Sequence, residues 1–307
     1  MSTVLTTTIT EHLYHPLYTL WLPCRPGNLL SLASPENYEQ ADKVLQESPG
    51  FQAYLHHVET STANPSPLLL VFAIPRLSQL IILRQGTSLD NKPSTSVIFQ
   101  DSRLYYPEMS GLVTGSTRDE DLVRLALSQL LDGLGSLVLG DMLKWRDEEY
   151  PFKPTLFGNE VMEARVDGAL TNSLTNEAFA ILDARTVCRI RERRKLYWEE
   201  TAKMISWIQH DLRGNRQHPP PRYLIVSQYL EQIYIVVANF DKDYEVYIKI
   251  LEAPVMSDNP RLSCEMMEMS EFGPFNIDDA AHMKEFARHI VAYYCEVQKW
   301  AFAEVPN

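Results

Sequence analysis

The 307-residue chain is short of cysteine, short of glycine and short of positive charge. Its four cysteines, Cys24, Cys188, Cys264 and Cys295, lie far apart. Their spacings match no zinc or thiol-redox pattern, so scattered, buried, small apolar residues are expected. His12 and His15 stand three apart without a third ligand in view, which argues against a metal site there. Glycine occurs 12 times against 19 prolines. Gly133 and Gly135 are followed by no Gly-Lys-Ser/Thr, so they form no phosphate loop, and Ser136 lacks the flanks of a nucleophile elbow. Lysine and arginine total 28 against 40 acidic residues, a net charge of −12. A dedicated nucleic-acid binder is usually basic, because phosphate neutralisation supplies most of its affinity; an enzyme with one local basic face is not excluded. No long apolar run is present either. Residues 68–83 come nearest, but Pro75, Arg76, Ser78 and Gln79 interrupt them, so no membrane span is expected. Residues 1–16 lack the basic start and apolar stretch of a signal peptide, and no Asn-x-Ser/Thr sequon occurs. A cytoplasmic or nuclear protein is expected.

What the chain has is an ordinary globular composition, 45% hydrophobic and 22% charged, over a length that suits one large domain or two smaller ones. Ser34-Pro35-Glu36 reads as a helix start, with the helix running to about residue 57. Prolines at 65 and 67 break the chain, and strands are expected over 68–74, 80–84 and 96–99. Leu122, Leu125, Ala126, Leu130, Leu134, Leu137 and Val138 recur at helical spacing, predicting a buried helix over 119–145. Asp119, Glu120 and Asp121 crowd its start, where the helix dipole favours anions. Further on, strands are expected over 161–170, 178–185, 223–227, 233–238 and 244–250. A helix is expected over 197–212, and 214–221 reads as an extended loop. Residues 271–275 read as a tight linker and 276–302 as a closing helix. On that helix His282 and His289 read as packing or surface residues, and Tyr293, Tyr294, Trp300 and Phe302 as core or a homodimer surface. The order of elements predicts an α/β (α+β) fold, a mixed central sheet flanked by helices. Residues 1–118 would form an α+β region packed on a core of residues 119–307.

Chemistry concentrates on one hairpin. Asp183 and Arg185, two apart on a strand, share a face, and the turn at 171–176 returns Asp167 beside them. Carboxylates that hold a divalent ion next to a cation are what metal-assisted phosphodiester hydrolysis requires. The segments Val166-Asp167-Gly168-Ala169-Leu170 and Phe179-Ala180-Ile181-Leu182-Asp183-Ala184-Arg185 resemble motifs II and III of PD-(D/E)XK nuclease-like proteins. The stretch Trp198-Glu199-Glu200-Thr201-Ala202-Lys203 is similar to the helix carrying that family's fourth motif, and Phe272-Gly273-Pro274-Phe275 with the closing helix resembles the branch found in filamentous fungi. The likeness covers about residues 151–301.

The resemblance implies a restriction-endonuclease-like core in which Asp167 and Asp183 hold Mg²⁺ or Mn²⁺. Arg185 would stabilise the transition state and Glu200 would orient the site or its water. Two positions depart from the pattern: Val166 replaces the signature proline and Arg185 the catalytic lysine. Arginine stays charged and serves as no general base, whereas lysine is a compact cation that can lose its proton when desolvated. Lys203 on the following helix is the candidate for a relocated lysine, and Glu148 and Glu149 are the nearest candidates for the first-motif acid. Arg185, Arg189, Arg191, Arg193, Arg194 and Lys195 fall within eleven residues. They read either as a solvated helix start or as an arm contacting the phosphates of DNA or RNA, extended by Arg213, Arg216 and Arg222, with Tyr197 and Trp198 as stacking groups. Two alternatives stand beside the nuclease: a catalytically inactive nuclease-like fold that serves as a protein-interaction or regulatory module, and a small-molecule enzyme with a pocket between the two halves.

Overall fold

A computed structural model describes residues 17, 19–22, 32–61, 67–87, 120–152, 155–157, 160–162, 164–214, 220, 222–251 and 266–303. The strand expected at 96–99, together with Cys24, Cys264, His12, His15 and Arg216, lies outside the described residues. So does most of the 214–221 loop. In chain order the strands are β1 (Thr19–Leu22), β2 (Leu143–Arg146), β3 (Tyr150–Pro151), β4 (Thr155–Phe157), β5 (Glu160–Met162) and β6 (Arg165–Val166). They continue with β7 (Gly168–Asn172), β8 (Ala178–Arg185), β9 (Tyr223–Tyr229), β10 (Gln232–Asn239) and β11 (Met267–Asn276). The helices are α1 (Pro35–Glu47), α2 (Pro49–Thr60), α3 (Ala73–Thr87), α4 (Glu120–Gly135), α5 (Arg189–Arg213), α6 (Lys242–Leu251) and α7 (Ala280–Ala303).

Seven strands form one mixed sheet in the order β1-β11-β10-β9-β8-β7-β2. The β1–β11 and β8–β9 pairs are parallel and the rest antiparallel. A parallel pair needs a crossover, and α5 supplies it between β8 and β9. The protein is thus an α/β fold with a mixed sheet flanked by helices. Alternation along the strands divides the core in two. Leu182, Ala184, Leu224, Val226, Ile233 and Ile235 pack on one face against α1, α2, α3, α4 and α7. Ile181, Ile225, Val236, Ala238, Met267 and Met269 pack on the other against α5 and α6. Elements from residues 1–118 contribute to both the sheet, through β1, and the first cluster, through α1 to α3. Burying each large aliphatic side chain in these clusters contributes about 1.5–3 kcal/mol.

Several expectations require correction. The helix expected over 34–57 is two helices, because Pro49 disfavours helical geometry at Ser48; the Ser48 hydroxyl then caps α2 by accepting from Phe51 N at 3.2 Å. The strands expected at 68–74 and 80–84 are a 3₁₀ turn (Pro67–Phe72) and α3. Short apolar runs do not separate strand from buried helix, and residues 75–82 are buried all round. Leu68–Gln85 is apolar enough to pass for a membrane span, with a mean hydropathy of 1.5, yet 56% of it is buried inside the fold. The helix of 119–145 ends at Gly135, and β2 follows after a turn. The strand expected over 161–170 is broken into β5, β6 and β7.

The strand expected at 244–250 is α6. Tyr244, Val246, Ile248 and Ile250 imitate strand alternation, but Asp241 Oδ1 accepts from Tyr244 N at 2.8 Å and starts a helix that buries Tyr244 and Ile248, four apart. Residues 271–275 are no linker but part of β11, where Gly273 adopts φ +126 at an irregularity against β10. A Cβ there would meet Ile233 O at 2.8 Å. Cys188 is exposed rather than buried, whereas Cys295 is buried as expected.

Candidate functional site

The site is assembled where β6 breaks from β7. A Cβ at Gly168 would lie 2.5 Å from Arg146 O, so only glycine lets the chain pass there. One step beyond the Gly168–Leu182 register pair, Asp167 stands opposite Asp183. Its backbone N donates to Leu182 O at 3.0 Å, and its Oδ2 accepts from Ala184 N at 2.7 Å. Asp167 is therefore pinned to the backbone of β8 on both sides of Asp183, by its own backbone N on one side and by its carboxylate on the other.

Asp183 points from the centre of the sheet toward α5. Lys203 reaches down from α5, and its Nζ donates to Asp183 Oδ1 at 2.5 Å with both side chains essentially inaccessible. Arg185, on the same strand face, brings Nε within 3.5 Å of the same oxygen. Arg185 also contacts Glu120 Oε1 through Nη1 at 3.2 Å and Glu199 Oε2 through Nη2 at 4.0 Å. These charges set the titration. Burial, then the charge of Asp183, push Asp167 up to about 6. Burial also works against Asp183, but Lys203 and Arg185 outweigh it and hold that carboxyl below its ordinary range. Burial raises Glu199, and Asp183 raises Arg185 so that it stays charged.

Of the residues carried over by the resemblance, the structure brings Asp167, Asp183, Arg185 and Lys203 together and sets Glu200 apart. Glu200 is fully buried in a fork–fork pair with Arg189, whose Nη1 and Nη2 donate to Oε1 and Oε2 at 2.8 and 2.6 Å. Tyr229 donates to the same Oε1 at 2.8 Å, Arg189 Nε donates to Glu271 Oε2 at 2.6 Å, and the Tyr229 and Tyr234 rings flank the guanidinium at 4.7 Å. Glu200 has no freedom to orient a water at Asp183. Arg189, likewise, does not stand with the other basic residues: it is turned inward and ties the start of α5 to β9 and β11. Arg191, Arg193, Arg194 and Lys195 are exposed on the first turns of α5. Arg193 Nε donates to Tyr197 Oη at 2.7 Å, and Arg194 lies 4.8 Å over the Trp198 ring.

Glu149 pairs with Arg165 at 3.4 Å, and no contact of Glu148 or Glu149 with Asp183 is seen among the described residues. They line an open groove of about 540 Å³ with Arg146, Tyr150, Glu177 and His210, near the turn at the other end of the β7–β8 hairpin. The acids that do approach were missed from sequence. Glu199 lies one turn before Lys203 and shares its face, a signal legible in the i, i+4 spacing. Glu120 is 65 residues from Arg185 and carried no local signal beyond the acidic start of its helix.

The donor set at this site fits a hard divalent cation. Asp183 Oδ2 is buried without a hydrogen-bond partner in the structure, which costs about 1–3 kcal/mol if nothing fills the place. The carboxylate of Asp167 stands next to it. Among the described residues four carboxylates, Asp167, Asp183, Glu199 and Glu120, stand around three cations, Lys203, Arg185 and, at the rim, Lys195, so negative charge is in surplus by one. Oxygen donors with surplus negative charge suit Mg²⁺ or Mn²⁺. Among the described residues no three of His, Cys, Asp and Glu converge as a ready-made metal nest. Comparisons with protein-family models, with curated proteins and with solved structures give no match.

Proposed function

We propose that the chain is a PD-(D/E)XK-type, metal-dependent phosphodiester hydrolase acting on nucleic acid. The observation that carries this reading is the contact of Lys203 Nζ with Asp183 Oδ1 at 2.5 Å, beside Asp167. It supplies from α5 the lysine that β8 lacks. The order strand, turn, strand, helix, strand across β7, β8, α5 and β9 supports the same reading.

Asp167 and Asp183 would hold the ion, and Mg²⁺ or Mn²⁺, when bound, supplies the positive charge that polarises a phosphate and its attacking water. The residues of the chain do the rest. Lys203, desolvated against Asp183, is a compact cation beside the reacting phosphate and stabilises charge that develops there. Arg185 keeps its proton and acts only as a cation. The exposed Arg191, Arg193, Arg194 and Lys195 contact backbone phosphates of DNA or RNA, which concentrates on one face the positive charge the chain lacks as a whole.

A second reading has its own observation. Arg185 spans Asp183, Glu120 and Glu199, and Asp183 and Lys203 are almost wholly inaccessible. A site closed in this way favours a catalytically inactive fold that binds a protein partner. Incubation of plasmid DNA, single-stranded DNA and RNA with the protein and Mg²⁺ or Mn²⁺ separates the two. Cleavage that needs metal and disappears in Asp167→Ala, Asp183→Asn and Lys203→Met supports the hydrolase. No cleavage, or equal cleavage by wild type and variants, eliminates it and leaves the interaction module.

A further inference from the structure

Ser227 on β9 is in register with Asp183 on β8, and the two strands run parallel. Register partners project to the same face, and neighbouring strands stand about 4.8 Å apart. That face is the one covered by α5, because Ile181 and Ile225, the preceding register pair on it, pack in one cluster with Ile205 and Ile208. Ser227 is fully buried, and its Oγ has no hydrogen-bond partner in the structure. Asp183 Oδ2 is in the same condition beside it. Buried hydroxyls and carboxylates are nearly always satisfied, so two adjacent buried oxygens without partners describe a place for a shared ligand. The nearby cations do not fill it. Lys203 and Arg185 both address the other oxygen, Oδ1.

We propose that Ser227 is a third oxygen donor of the divalent-cation site formed by Asp167 and Asp183. The inference rests on the metal-dependent reading above. A hydroxyl is a hard, neutral donor that suits Mg²⁺ and Mn²⁺ and leaves the charge balance of the site unchanged.

The test is Mn²⁺ binding to the full chain, followed by electron paramagnetic resonance of the free ion, for wild type, Asp183→Asn, Ser227→Ala and Ser227→Cys. Wild type binds, Asp183→Asn does not, and Ser227→Ala binds about tenfold more weakly. Ser227→Cys, with a soft donor in the same place, loses affinity for Mg²⁺ and gains it for Cd²⁺ in competition against Mn²⁺. Thermal unfolding without metal controls for folding, and Ser227→Ala keeps the wild-type Tm there, because its hydroxyl makes no bond in the free protein. Unchanged affinity and metal preference in both Ser227 variants, with Asp183 still required, overturns the role of Ser227 and leaves the metal site standing. Absence of Mn²⁺ binding by wild type overturns both.

Discussion

Replacing Lys203 by methionine keeps the length of the side chain and removes its charge, leaving Asp183 to face the core. The Nζ–Oδ1 distance is 2.5 Å and the two side chains are 0% and 1% exposed. At an effective dielectric constant near 20, that separation corresponds to roughly 6–7 kcal/mol of attraction, against a desolvation cost of several kcal/mol for each ion. The pair is therefore worth little in net terms, but breaking it leaves an uncompensated charge. Loss of one partner of such a pair costs about 3–5 kcal/mol. Arg185 lies 3.5 Å from the same oxygen and takes up part of the loss, so Lys203→Met belongs at the lower end, about 3 kcal/mol. Asp183→Asn, which strands the lysine, costs at least as much. The double variant, free of both charges, costs about as much as either single one, giving a coupling energy of about 3 kcal/mol. Urea unfolding at pH 7.5, followed by circular dichroism, measures all four proteins. Additive losses within 0.5 kcal/mol, or a Lys203→Met loss below 1 kcal/mol, refute the buried pair and the relocated-lysine reading with it.

The inward turn of Arg189 predicts a similar asymmetry on α5. Arg189→Met leaves Glu200 and Glu271 buried without their cation and costs about 3–5 kcal/mol, and Arg189→Lys rescues little because an ammonium makes no bidentate fork; exposed Arg191→Ala stays within about 0.5 kcal/mol in the same denaturation assay. His289 predicts a pH dependence. Burial first, then Arg288, lower its pKa from 6.5 to about 4, with Asp42 opposing, and its Nδ1 lies 3.0 Å from Tyr38 Oη. The unfolded chain takes up a proton between those values and the folded one does not, so stability falls as pH drops from 6.5 toward 4, by roughly 3 kcal/mol at most. His289→Gln flattens that part of the stability–pH curve, and an unchanged slope in the variant would assign the loss to other groups.

The elements read correctly from sequence are those whose signals are local. The strand at 178–185 is a continuous apolar run closed by a turn, and its i, i+2 pair Asp183 and Arg185 shares a face by the geometry of any strand. Lys203 was reachable only through the resemblance, as a lysine relocated to the following helix; no local spacing singles it out, and its contact with Asp183 is made by the fold. The misread elements are those where two periods coincide. Tyr244, Val246, Ile248 and Ile250 satisfy a strand pattern while Tyr244 and Ile248 satisfy a helical one, and the Asp241 cap decided between them. Residues 75–82 are buried all round, polar side chains included, so their burial against α2 and α4 rather than any period made them a helix. At the site, what sequence could not supply is which of two adjacent glutamates faces the carboxylates. Glu199 and Glu200 differ by one step of about 100° around α5. The inward-turned Arg189, itself held by Glu271 on β11, takes Glu200 out of the site and leaves Glu199 to Arg185. That choice depends on a strand 71 residues further along the chain from Glu200. No motif on the hairpin contains it, so the charge balance that decides between a working and a silent site is a property of the folded sheet.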